Sequence, residues 1–102
     1  MSRVRLSDRA KADIHAIWDY VGVARGSPAA AERQVEALYD KFKLPAAQPL
    51  LGELRDDLRP GLRLFVAGSY VILYYPIPDG VQVAGVVHGA RDIESIFDIG
   101  QS

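Results

Sequence analysis

Apolar and polar positions change rhythm twice along this chain. Arg3-Val4-Arg5-Leu6 alternates polar and apolar, the period of a short half-buried strand. Ser7 then reads as a helix N-cap, with Asp8 favourable at the positive end of the helix dipole. From Ala10 the apolar residues recur at steps of three and four, through Ile14, Ile17, Trp18 and Val21. Those positions line one stripe of a helix reaching about Ala24, and Gly26 breaks it. Ser27-Pro28 opens a second helix, with a Ser cap and a proline where its missing N–H costs nothing. Ala31, Val35, Leu38 and Phe42 share one face of that helix, which Pro45 and Pro49 close.

Beyond Leu51 the period becomes two. Leu62 to Val66 is a candidate strand, and Gly68-Ser69 supplies a tight turn. Tyr70 to Tyr75 is rich in β-branched and aromatic residues and stops at Pro76. Asp79-Gly80 is a turn signal, and Val81 to Val87 is the next strand. A further short strand falls around Glu53 to Leu58, and Asp92 caps a last helical turn through Glu94 and Phe97. The expected fold class is α+β: a two-layer sandwich in which an N-terminal helical hairpin covers one face of an antiparallel sheet. The opposite sheet face is expected to be partly exposed.

A length of 102 residues leaves room for one domain and one core. With 49% hydrophobic and 25% charged residues, the composition is that of an ordinary globular protein. No apolar run approaches the roughly 20 residues needed to span a bilayer. The segment MSRVRLSDRAKAD lacks an apolar signal-peptide core, so a cytoplasmic location is expected. The chain has no cysteine, and its only histidines are His15 and His88. Disulfides are excluded and zinc chemistry has few ligands to use; no metal and no cofactor are expected. Twelve basic residues against thirteen acidic ones give a formal charge of −1, which argues against direct binding of nucleic acid through phosphates.

Candidate chemistry is sparse. His88 stands at the end of an apolar strand without an evident partner, and His15 flanks the apolar stripe of the first helix. Asp56 and Asp57 are sequence neighbours, which point apart in a strand. No Gly-rich phosphate loop or Ser-His-Asp order is present. The tyrosines Tyr70, Tyr74 and Tyr75 could present phenols on the open sheet face, with Tyr75 opposite the other two.

Several motifs taken in order carry a resemblance. Pro60-Gly61-Leu62-Arg63 with Phe65, Gly68 and Tyr70-Val71-Ile72 is similar to the strand-turn-strand element of ParE-type toxins. Val86-Val87-His88-Gly89-Ala90-Arg91-Asp92 looks like the end of their last strand. Leu6-Ser7 with Ala10, Asp13, Ile14, Ile17 and Tyr20 resembles their first strand and helix. The resemblance spans roughly residues 3 to 98 and is to the ParE/RelE toxin superfamily. It implies a toxin of a type II toxin–antitoxin system, neutralised by a ParD-like antitoxin of ribbon-helix-helix type. Operator DNA would be reached only indirectly, through that antitoxin.

Within the superfamily, RelE-like members cut messenger RNA on the ribosome, whereas characterised ParE-like members poison DNA gyrase. Metal-free RNA cleavage needs a group to activate the 2′-hydroxyl, cations for the developing charge and a donor to the leaving oxygen. RelE-like nucleases resemble one another in drawing these from middle-strand lysines and arginines and a tyrosine near the C-terminus. Here Glu53 to Arg59 holds no lysine, and Phe97 stands where that tyrosine would be. These residues argue against catalysis, and the resemblance implies a gyrase inhibitor with no catalytic residues; a ribosome-dependent endoribonuclease and a non-toxic co-repressor are the alternatives. Arg63, His88 and Arg91 are the candidate target contacts, and Tyr20, Leu38 and Tyr39 the candidate antitoxin contacts.

Overall fold

A computed structural model describes residues 2–24 and 26–88. Strand β1 (Arg3–Leu6) leads into helix α1 (Asp8–Asp19), which Ser7 caps by accepting a hydrogen bond from the Ala10 N–H at 3.0 Å. The helical path continues to Ala24, as the periodicity requires, but Tyr20–Ala24 is wound as a π-helix. Gly26 ends it with φ +66°, a conformation that only glycine adopts at low cost. Helix α2 (Pro28–Lys41) starts with Pro28 in its first turn and with the Ser27 hydroxyl accepting from Ala30 N–H.

Pro45 does not close this segment. The chain bends at Phe42 and resumes as a short helix, α3 (Lys43–Ala47), with Pro45 in its first turn. A proline there sacrifices no intrahelical bond, because the first four N–H groups of a helix have no partner.

Four strands follow: β2 (Glu53–Leu54), β3 (Arg63–Ala67), β4 (Tyr70–Ile77) and β5 (Gly80–His88), in the sheet order β1-β5-β4-β3-β2. The expected strand over Glu53 to Leu58 is thus only two residues long, and residues 56–58 turn instead. β4 runs through Pro76 where the composition suggested a stop. β3 pairs with β4 only from Tyr70 to Tyr74, so Pro76 lies on a one-sided stretch that asks nothing of its missing N–H. One feature departs from a purely antiparallel sheet: β1 pairs in parallel with β5, from Arg3 opposite Gly80 to Leu6 opposite Val83. The sheet is mixed.

The helical layer lies on one face, as expected. Ala10, Ile14, Leu38, Phe42 and Ala46 pack against Tyr70, Ile72, Tyr74, Val81, Val83 and Val86. The far face is less open than its strands suggested. Leu58 and Leu62, from the segment between β2 and β3, fold over Leu73 and Val87 to make a second, smaller core.

The β4–β5 ladder is irregular at one point. Tyr74 pairs with Val83 but Leu73 pairs with Gly85, so Ala84 is an extra residue, a β-bulge. Before it Val81 and Val83 face the helices; after it Val86 does.

Candidate binding site

The α1–α2 hairpin and the end of the sheet diverge around a cleft of about 560 Å³. The π-helical turn contributes Tyr20 and Val21 to one wall, α1 contributes Arg9, Asp13 and Ile17, and α2 contributes Gln34. The floor is Tyr70, Val86 and His88. His88 is exposed and stacks on Tyr70 with ring centroids 5.0 Å apart and an interplanar angle of 47°. Gln34 donates to the Tyr70 hydroxyl, fixing the ring on which the imidazole rests. Asp13 accepts the Val86 N–H at 3.0 Å, while its other oxygen is 3.2 Å from Arg9 Nε.

A second hollow of about 390 Å³ opens on the far face between Arg59, Tyr75 and Gln82. Arg9 and Asp13 border both. Among the described residues there is no group of three or more His, Asp or Glu able to hold a metal ion.

The sequence-derived candidates separate in three dimensions. Tyr20, 60% exposed, and His88 meet in the cleft. Tyr39 is 43% exposed and lies edge-on to Phe42, outside the cleft lining. Leu38 is a correction: with no exposed surface it is part of the main core and offers nothing to a partner. It belongs to the same stripe as Ala31 and Phe42, and the stripe, not the hairpin's groove, claims it. Trp18 goes the other way, standing 39% exposed near the hairpin tip rather than anchoring the core.

Arg63 sits away from His88. Arg63 pairs with Tyr74 and His88 with Tyr70, a separation of four residues or about 13 Å along β4. Its guanidinium donates to the carbonyls of Leu50 and Gly52 at 3.1 and 2.7 Å. The Tyr74 hydroxyl completes the same anchor, donating to Pro49 O and accepting from Gly52 N–H, each at 2.8 Å. Tyr70 and Tyr74 therefore face the helices, with Tyr75 on the opposite side, as alternation required. Arg55 forms a two-point contact with Asp57 at 2.9 and 2.8 Å, and these bonds hold the Asp57 carboxyl below its ordinary range. His15 is exposed, with Nδ1 3.2 Å from Asp19. Arg91, Asp92 and Phe97 lie outside the described residues.

Sequence reasoning missed Arg9, Asp13, Gln34 and Tyr70 as cleft residues. The signal for two of them was present. Asp13 falls within the stripe Ala10, Ile14, Ile17, and Gln34 within the stripe Ala31, Val35, Leu38. A polar residue on a core-facing stripe must find a partner there.

These features define a class: a small two-layer α+β domain whose helical hairpin leaves an open cleft where it meets the sheet's end. Comparison with known proteins makes the class specific. The family profile of the ParE toxin of type II toxin-antitoxin system, parDE, matches residues 4–93. Toxin ParE1 of Mycobacterium tuberculosis is 33% identical over 94 residues, covering 91% of this chain and 95% of that protein. Toxin ParE1 of Caulobacter vibrioides is 35% identical over 88 residues, covering 86% and 90%. A solved structure of the chromosomal ParDE TA system from P. aeruginosa superposes with a TM-score of 0.68 over 88% of this chain and 98% of that one. At 20% identity, that likeness speaks for the fold. The chain belongs to the ParE toxin family of type II toxin–antitoxin systems.

Proposed function

We propose that this toxin acts by binding DNA gyrase, not by cutting RNA, and that a ParD-like antitoxin of ribbon-helix-helix type neutralises it in the cytoplasm. The observation that carries the choice is the state of the middle-segment arginines. A metal-free ribonuclease needs cations aimed at the phosphate. Here Arg55 is directed at Asp57, and Arg63 at the carbonyls of Leu50 and Gly52. Arg63 thereby anchors the loop before β2, and Arg55 is held in a local ion pair. No helix among the described residues is long and apolar enough to cross a membrane.

The surface suits an antitoxin that folds as it binds. Exposed Tyr20 lines the cleft, and Trp18 and Val23 are exposed on the same hairpin, an apolar surface for an amphipathic helix. Among the described residues β2 covers only Arg63 and Leu64 of β3, so Phe65 to Ala67 present an edge to which a strand can add. Operator DNA is then reached through the antitoxin.

The test is a pair of assays on one preparation: gyrase-mediated DNA breakage, and cleavage of ribosome-bound mRNA. The expected outcome is accumulation of broken DNA with intact message. Codon-positioned mRNA cleavage by the native protein overturns the reading.

A further inference from the structure

The end of β5 has two phases open to it against β4, and two adjacent valines let each sheet face keep one in either phase. In the observed phase the bulge at Ala84 places Val86 opposite Ile72 and His88 opposite Tyr70. A regular ladder continuing from the Tyr74–Val83 pair would set Ala84 opposite Leu73, Gly85 opposite Ile72 and Val87 opposite Tyr70. A one-residue slip moves every following side chain to the other face. Yet Val86 and Val87 are the same residue, so each face keeps one valine in either phase. Two things change: Gly85 takes the place of Val86 opposite Ile72, and His88 leaves the cleft for the far side.

Polar contacts from Ser7, the N-cap of α1, and from Asp13 within it separate the two phases. β1 pairs with β5 only as far as Val83, so beyond that point its outer edge has no strand beside it among the described residues. Ser7 and Asp13 occupy that edge. Ser7 N–H donates to Val83 O at 3.0 Å and its hydroxyl donates to Ala84 O at 3.0 Å. Asp13 takes the Val86 N–H at 3.0 Å. The two side chains thus satisfy the carbonyl and the N–H on either side of Gly85. Gly85 itself makes room for the carboxylate, since a Cβ there would lie 3.2 Å from Asp13 Oδ2.

We propose that Ser7 and Asp13 are positioning residues: a two-point latch that fixes the phase of β5 after the bulge and so keeps His88 stacked on Tyr70 in the cleft. Bulges next to working surfaces commonly re-aim a side chain in this way. The consequence for binding rests on the functional reading above; the consequence for register does not.

The test is NMR of the full-length toxin, reading contacts of the Tyr70 ring, alongside gyrase binding. In a Ser7→Ala, Asp13→Ala variant, the Tyr70–His88 contact is expected to give way to a Tyr70–Val87 contact and gyrase binding to weaken. In Asp13→Ala alone, exchange of the Val86 amide should speed up about tenfold or more, the scale of losing a hydrogen bond to a charged group. Asp13→Asn keeps an acceptor oxygen and should retain the Tyr70–His88 contact.

Deleting Ala84 from the double variant provides the decisive arm, and it also covers the case in which the double variant does not fold. A regular ladder then pairs Val86 with Ile72 and His88 with Tyr70 without any latch, so the contact should return. Persistence of the Tyr70–His88 contact in the double variant overturns the proposal. So does its absence, or a failure to fold, after the deletion. A phase change that leaves gyrase binding intact supports the latch and refutes a role for this cleft in target recognition.

Discussion

Two adjacent residues on α2 show how sharply position decides role. Leu38 has no exposed surface and Tyr39 is 43% exposed, although both are large and partly or wholly apolar. Leu38→Ala is expected to cost about 2–5 kcal/mol, the range for truncating a buried leucine. Tyr39→Glu should shift stability by no more than about 0.5 kcal/mol, as surface substitutions do, while weakening antitoxin binding. Urea unfolding beside a titration with the antitoxin separates the two effects, and unaltered affinity in a folded Tyr39→Glu variant would remove Tyr39 from the interface. Tyr74 tests the anchor of the loop before β2. Tyr74→Phe leaves Gly52 N–H and Pro49 O without the hydroxyl they share, at a cost of about 1–3 kcal/mol. A shifted urea midpoint with an unchanged m-value is the expected record. Arg63 was a reasonable candidate for target contact from sequence, because nothing local reveals that Leu50 and Gly52 turn their carbonyls toward it.

At the scale of elements, what was legible depended on local signals. Ser7, Ser27-Pro28 and Gly26 mark helix boundaries through capping and backbone preference, and the structure places the boundaries there. The alternation in Tyr70 to Tyr75 separated Tyr75 from the other two but did not tell which face is covered: Tyr70 and Tyr74 lie buried under the helices and not on an open face. Features created by distant segments were not legible. The parallel pairing of β1 with β5 joins residues some 77 positions apart (Arg3 with Gly80), and no local pattern encodes it. The bulge at Ala84 sits against polar contacts from Ser7 and Asp13, and the second core is made by Leu58 and Leu62, two residues that read as strand ends and instead fold over the far face. The cleft was half legible: Tyr20 and His88 were singled out, but Asp13 and Gln34 were hidden inside apolar stripes. This architecture predicts a gradient of native-state hydrogen exchange. Amides of β4 between Tyr70 and Tyr74, paired on both sides, should exchange slowest, and those of Glu53–Leu54 much faster. Equal protection in β2 and β4 would contradict the sheet order.

For the whole molecule, the surface is organised for association. The hairpin exposes Trp18, Tyr20 and Val23, of which Tyr20 lines the cleft, and among the described residues β3 leaves an edge beyond Leu64. Arg55 and Arg63 are engaged by Asp57 and by the carbonyls of Leu50 and Gly52, which supports the proposed action by binding rather than by phosphodiester cleavage. Proteins that work this way form complexes whose occupancy, not turnover, determines the effect, and an antitoxin acts by masking the contact surface. The most direct measurement is therefore binding of the purified toxin to purified gyrase, with the antitoxin then titrated in. A saturable toxin–gyrase complex that inhibits supercoiling and dissociates on stoichiometric addition of antitoxin is the result this account predicts. Undiminished supercoiling with no complex at toxin excess, from a preparation that cleaves message on translating ribosomes, would contradict it.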